Sequence, residues 1–502
     1  MRIGPAWIRR GAVAGVALAV IVGIVVRFTT TSPLWLDEAL SVNIASLPLG
    51  DIPAALRHDG HPPLYYWMLH GWIAAFGDGD VAVRSLSGVI GVATLPLAWV
   101  AGRLLGGRRL AAVTLVVVSL SPYMVRYSTE ARMYSLVMLL VLAGYIAIVK
   151  LRRGAPWGWL VVFGATAALL PWTHYWGLYL VITVGMLLVW SWWRQPDERA
   201  WAGPAIVTLG VSLLPFVLWL PVVLDQAAHT GTPWATPARP TRVLVETLET
   251  MGGGAFPEAE TYGILIVLLG VLAACTSDAE GRLVIANGVV APMRRIVFTV
   301  VAAMGVGTLA GLLGGAGYAG RYAAIVVPLI LLIVASALTR QGAPLLLGGL
   351  GVLLVGLALV SIGHNVTDKR THAGVMADLI AADVEPDDVV VVCPDQLGPS
   401  VARAMEQKGL DPPVPYPAAG DPRFVDWRDY AERNAAADPV AFADDILERA
   451  GDGRIWLVSF DGYRTFEGQC AAVAARIAQS RPLTELEAPE DAFEPAQLQR
   501  FG

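Results

Sequence analysis

Apolar runs of about 15 to 20 residues, the length that crosses a bilayer as a helix, recur from Gly11 to Ile362. So many uniformly apolar stretches cannot all be hidden in one water-soluble core. Composition agrees: of 502 residues, 55% are hydrophobic and only 15% charged, a balance far from that of ordinary soluble domains. The pattern predicts a polytopic α-helical membrane protein. Charge rises after Ile362, so the reading divides the chain into a membrane domain, 1–362, and a soluble domain, 363–502.

Eleven spans are predicted, over 11–28, 84–101, 110–122, 133–149, 157–171, 176–193, 204–223, 261–275, 296–313, 321–339 and 343–362. The first lies behind Arg2, Arg9 and Arg10, has no convincing small-residue cleavage site after it, and reads as a retained helix. With the N-terminus inside, the inner loops hold most of the cations, among them Arg103, Arg108, Arg109, Lys150, Arg152, Arg153, Arg194, Arg282, Arg294 and Arg295. The longer outer loops hold fewer, which fixes the orientation by the positive-inside rule. Pro62 to Phe76 is apolar but short, and it carries His70 among Tyr65, Tyr66, Trp67 and Trp72. It is expected to be an interfacial helix, one of two in a long first outer loop.

In the tail, "DDVVVVCPDQLGPSVARAMEQKG" predicts a buried strand, a loop and a helix, and "GRIWLVSFDGY" a second strand. This suggests a compact α/β unit on the outer side, with the Pro-rich run Asp411 to Pro422 as a surface loop. A net charge of −5 and the absence of any basic block exclude a nucleic-acid partner. Cys275, Cys393 and Cys470 match no zinc spacing. Cys393 and Cys470 share the tail, and either pair there, if it is extracytoplasmic, or stand as buried thiols.

Costly polar groups concentrate in the outer loops. Asp37 and Glu38 are adjacent in "LWLDEALSVN" and on a helix would point about 100° apart, so each can serve a different partner. Carboxylates at membrane depth are functional or paired; at a helix start they can also be merely solvated. Asp59, His61 and His70 follow, and in "HDGHPPLYY" two prolines stiffen the turn after His61. A histidine opening a helix can meet an anion beside backbone N–H groups. In "SPYMVRYSTEARMYSL", Glu130 and Arg132 open a span, with Arg126, Tyr127 and Tyr134 as further phosphate-capable donors. In "GGAGYAGRYAAIVVP", Arg321 and Tyr322 follow a glycine-rich approach, and "PWTHYWGLY" adds His174 and Tyr175 on the same side. For each arginine the alternative is a cation snorkelling to the interface. Taken together, acid, base and phosphate-binding groups all fall on one face, and no P-loop or Gly-rich dinucleotide fingerprint occurs.

The segments "LWLDEA", "GHPPLYY" and "STEARMYSL", in that order, with "GRY" at a late span, resemble membrane glycosyltransferases of the GT-C fold. The similarity is nearest to the superfamily of protein O-mannosyltransferases and lipid A aminoarabinose transferases, that is, to glycosyltransferase family 39. It implies a GT-C transmembrane domain that moves a sugar, with inversion, from a polyprenyl-phosphate donor to a glycan, lipid or protein acceptor on the outer face of the membrane; composition rich in Ala, Gly, Val and Arg points to a bacterial cytoplasmic membrane and a cell-envelope product. By motif position it implies Asp37 as the base that deprotonates the acceptor hydroxyl and Glu38 as its neighbour in the "DE" pair. The residue before the double proline, a lysine in the aminoarabinose transferases, contacts the lipid phosphate and is His61 here. Glu130, Arg132, Tyr134, Arg321 and Tyr322 complete the expected donor site, with Asp59, His174 and Tyr175 as additional candidates. Mannose is the first guess for the sugar, with arabinose, galactose or another pentose open. Asp37, Glu38, Asp59 and His61 have the chemistry of divalent-metal ligands, but the O-mannosyltransferase relatives need no metal and none is expected to be obligatory. A lipid-linked saccharide flippase is the rival class; it would show charges near the bilayer midplane and paired inverted halves.

Overall fold

A computed structural model describes residues 6–232, 235, 239–254, 256–277, 283–285, 291–340, 343–488 and 492–502. The chain divides into two compact units, one of Met1–Thr30, Arg84–Pro221 and Pro237–Val366, the other of Thr31–Val83, Val222–Thr236 and Thr367–Gly502.

The first unit is helical. Among the described residues, six helices are long and apolar enough to cross a membrane, including Tyr134–Arg152, Trp176–Arg194 and Pro344–Thr367. Many of their apolar side chains face outward, Leu218 at 83% and Leu345 at 92% exposure, an arrangement that only a lipid solvent stabilises. The chain is a multi-pass membrane protein. The segments expected at 84–101 and 110–122 fall on one helical stretch, Asp80–Ser119, broken at Gly106 and Gly107, where Gly107 has φ 84°. Arg27, expected at a span end, is buried and donates to the carbonyls of Ser119 at 2.8 Å and Val118 at 3.0 Å. A cation there satisfies acceptors that a helix C-terminus leaves open. Glu198 likewise joins helix ends, accepting from Arg152 Nε at 2.9 Å and Arg295 at 2.7 Å. Arg282 lies outside the described residues.

The second unit centres on a five-stranded mixed sheet in the order Val414–Pro415, Val389–Cys393, Ile455–Ser459, Gln497–Phe501, Leu483–Glu487. The first three strands are parallel and the last two join antiparallel. Strand alternation sends Val391, Cys393, Ile455 and Leu457 to one face and Val390, Val392, Trp456 and Val458 to the other. Helices Pro439–Ala450 and Gln469–Ala478 bury apolar residues on the first face, and helices Ala373–Asp383 and Gly398–Glu406 on the second. Both expected strands are present. Cys393 and Cys470 form a disulfide with Cα atoms 5.6 Å apart, tying a strand to a helix.

Two expectations are corrected. The run Asp411 to Pro422 is not all surface: Val414–Pro415 makes the edge strand, and Tyr416 is fully buried because its N–H donates to the Val392 carbonyl at 2.9 Å. The long loop expected to be the first outer one holds three helices rather than two, Leu36–Ala45, Ile52–Asp59 and Leu64–Phe76. Gly60, with φ 84°, supplies the left-handed turn that ends the second.

Candidate functional site

The expected residues fall into two groups, one in each unit. In the second unit, Asp37 and Glu38 occupy the first turn of helix Leu36–Ala45, where the positive end of the helix dipole favours carboxylates. Their side chains separate as the 100° step requires: Asp37 is half-buried, whereas Glu38 is fully buried with an Oε2 3.8 Å from Arg370. Ser41 donates to the Asp37 backbone carbonyl at 2.7 Å.

Asp59 and His61 form a second pair in this unit, with His61 Nδ1 2.8 Å from Asp59 Oδ2. The Tyr66 hydroxyl donates to the same Oδ2 at 2.7 Å, and Gln226 Nε2 donates to the Leu56 carbonyl at 2.7 Å. Asp59 therefore orients the imidazole, while Pro62 and Pro63 hold the turn before helix Leu64–Phe76. His70 is engaged differently, its Nδ1 2.8 Å from the Ala45 carbonyl, and His58 lies 2.8 Å from Asp426. Among the described residues no three or more His, Cys, Asp or Glu side chains gather as a metal site, so Asp37, Glu38, Asp59 and His61 do not make one together.

The first unit holds the other group. Glu130 and Arg132 are buried in the turn before helix Tyr134–Arg152. Arg126 Nε sits 2.8 Å from Glu130 Oε1, and Ser87 donates to the Arg132 carbonyl at 3.1 Å. An aromatic chain runs from here: Tyr127 to Tyr134 with ring centres 4.9 Å apart, Tyr134 to His174 at 5.7 Å, His174 to Tyr322 at 5.2 Å. His174 Nδ1 accepts from the Trp176 N–H at 3.1 Å, which leaves Nε2 as the protonated nitrogen of the neutral ring. Tyr175 instead accepts from Trp219 Nε1 at 2.9 Å.

Arg321 and Tyr322 lie in a tight helical turn, Gly320–Ile325, rather than in a regular helix. The Tyr123 hydroxyl donates to the Arg321 carbonyl at 2.7 Å, and the Gly320 N–H donates to Glu246 at 2.9 Å. Gly320 has no room for a Cβ, which would run into Thr250 Oγ1 and the Glu246 carbonyl. This turn therefore brings Tyr322 against His174 and joins the predicted "GRY" and "THY" clusters. Tyr318, which shares a 2.6 Å hydrogen bond with Thr247, supports it from the preceding loop.

Sequence reasoning missed Arg370 and Glu494. The Glu494 carboxyl is buried against the first turn of the Asp37 helix, accepting from the Leu36 N–H at 3.3 Å and sharing a 2.8 Å hydrogen bond with Ser400. Burial raises its pKa from 4.5 to about 8, with the Asp37 charge adding to the rise. A glutamate in the polar run "EAPEDAFEPAQ" carries no signal of this.

Residues 60–223, roughly a third of the chain, match the family described as dolichyl-phosphate-mannose-protein mannosyltransferase. ArnT from Cupriavidus metallidurans in the apo state superposes with a TM-score of 0.62 at 12% identity, covering 97% of this chain and 98% of that one. The same protein bound to undecaprenyl phosphate gives 0.59 at 13% identity, covering 99% and 98%. The oligosaccharyltransferase of Archaeoglobus fulgidus gives 0.50 at 10% identity, covering 92% of this chain and 72% of that one. No curated protein matches by sequence. The chain has the ArnT-like GT-C fold of membrane glycosyltransferases, and over residues 60–223 it matches the dolichyl-phosphate-mannose-protein mannosyltransferase family, as "GHPPLYY" and "STEARMYSL" anticipate.

Proposed function

We propose that this chain is an inverting glycosyltransferase that moves a sugar, mannose as first candidate, from a polyprenyl-phosphate donor to a cell-envelope glycan, lipid or protein. The family match and the fold shared with a protein seen bound to undecaprenyl phosphate support the donor class. The observation that carries the reading is the division of labour at Asp37 and Glu38. Glu38 is buried on Arg370, while Asp37, one residue earlier on the same turn, stays partly exposed.

In this reading Asp37 takes the acceptor hydroxyl proton, and the acceptor oxygen attacks the anomeric carbon. The bond from that carbon to the phosphate oxygen breaks, and the lipid phosphate leaves with the electron pair. His61, Arg132, Arg321 and Tyr322 stabilise the charge on the phosphate, and Glu130 and Tyr134 take part in binding the donor phosphate and sugar. No metal is obligatory in this reading. Residues 1–362 cross the bacterial cytoplasmic membrane eleven times and carry the reaction, and residues 363–502 are extracytoplasmic, where the Cys393–Cys470 disulfide is at home.

Transfer from a panel of labelled polyprenyl-phosphate sugars, in membranes containing wild-type protein or Asp37→Asn at equal insertion, tests it. Transfer from one donor, lost in the variant, is expected. Equal transfer by both removes Asp37 as base, and no transfer from any donor removes the enzyme class.

A further inference from the structure

The first N–H groups of a helix have no acceptor within the helix and need one from outside. Ahead of helix Leu36–Ala45 stands Trp35, whose indole is a donor only and cannot fill that role. The acceptor comes instead from Glu494, whose Oε2 takes the Leu36 N–H at 3.3 Å. Its backbone is pinned as well: the Glu494 N–H donates to the Arg370 carbonyl at 2.8 Å, and Glu494 forms a parallel bridge with Thr371. The adjoining Arg370 side chain lies 3.8 Å from Glu38. One small patch of backbone thus grips residues 36 and 38 from outside, and Asp37 stands between them. Trp35 adds an edge-to-face contact with Phe493, ring centres 4.7 Å apart, on the same side.

We infer that Glu494 is a positioning residue for Asp37: its carboxyl group caps the first turn of the helix and so sets where the Asp37 carboxylate stands. This rests on Asp37 acting as the base. Burial opposes ionisation of Glu494, against the hydrogen bonds from Leu36, Ser400 and Thr371, which favour the charged form. Ser400 has one hydroxyl proton but two acceptor oxygens in reach, Glu494 Oε1 at 2.8 Å and the Leu397 carbonyl at 3.1 Å. Its hydroxyl is the donor to both, and the Glu494 carboxyl keeps its own proton because burial opposes ionisation. Burial holds that proton to about pH 8. The charged and titratable groups around it are Asp37 and Glu38 on the helix, Arg370 and His372 on the bridging segment, and Tyr463, whose own proton is held by burial and by the carboxylates of Glu494 and Asp37. A neutral cap keeps a second negative charge away from Asp37.

The test uses full-length protein as wild type, Glu494→Ala and Glu494→Gln, with sugar transfer resolved into kcat and donor KM from pH 6 to about 9, and hydrogen exchange measured over residues 33–45. A small misplacement of a reacting group loses on the order of tenfold to a hundredfold in rate. Glu494→Ala is expected to lose that much kcat with donor KM little changed, and to speed exchange at Leu36. Glu494→Gln, whose amide reproduces the neutral carboxyl, is expected to recover kcat and to stay level above pH 8, where the wild type declines. Wild-type kcat in Glu494→Ala, or unchanged exchange at Leu36, overturns the positioning role. If wild-type protein transfers from no donor, the enzymatic reading fails, and the exchange data still decide whether Glu494 orders this turn.

Discussion

Arg370 and Glu38 face each other at 3.8 Å with almost no exposure, 2% and 0% for their side chains. Removing one partner of such a pair strands a buried charge, which costs about 3–5 kcal/mol. Arg370→Met is therefore expected to destabilise the second unit by that order, and the double variant Arg370→Met with Glu38→Gln by clearly less. Thermal unfolding followed by tryptophan fluorescence measures both.

His61 is held by Asp59 at 2.8 Å. If it contacts the donor phosphate, His61→Ala should raise donor KM about tenfold, the value of one hydrogen bond to a charged group, with a smaller fall in kcat. His61→Lys should restore binding. Equal KM in all three proteins would remove His61 from the donor site.

Two buried carboxyls make stability fall as pH rises. Glu494 is raised from 4.5 to about 8 and Asp395 from 3.8 to about 7, both chiefly by burial. Between the unfolded and folded values the unfolded chain has released protons that the folded one keeps, so the slope of stability with pH is negative there. Each group contributes up to on the order of 4 kcal/mol, fully present below pH 4 and lost by about pH 8. Unfolding midpoints from pH 5 to about 8.5 should fall, and Glu494→Gln should flatten the upper part of the slope. A midpoint that rises over this range would contradict both assignments.

The Cys393–Cys470 link closes a loop across a sequence separation of 77. On the loop-entropy scale a cross-link of that span contributes about 4.5 kcal/mol. Reductant, or Cys393→Ser with Cys470→Ser, should lower the unfolding temperature of the second unit.

Gly320 leaves no room for a side chain against Thr250. Gly320→Ala should displace the turn carrying Arg321 and Tyr322, cutting transfer by about a hundredfold as misplacement does, with membrane insertion unchanged. Undiminished transfer would show that this turn does not serve the reaction.

Much of this was legible in the residues because its causes are local. Apolar runs mark helices wherever they occur, and "VVVVC" and "IWLVS" announce buried strands by β-branched and apolar density. The motifs around Asp37, His61 and Glu130 were legible because short spacing ties them to one turn or loop. Legibility ended where a partner comes from far along the chain. Nothing near Glu38 names Arg370, and nothing near Leu36 names Glu494, because neither residue differs locally from a solvated side chain. The edge strand at Val414–Pro415 was hidden for a related reason: prolines on both sides suggest a loop, yet an edge strand tolerates proline where no ladder donor is needed.

The Leu36–Glu494 hydrogen bond spans 458 positions, and the second unit collects its parts from three separate stretches of sequence. During synthesis the helix bearing Asp37 emerges early but stays without its cap until residue 494 has been made and has found it. Interrupted chains that carry every span and every loop motif would then lack an ordered Asp37 turn. Sugar transfer would begin only in molecules that have finished folding, so unfinished copies in the membrane would not consume lipid-linked donor.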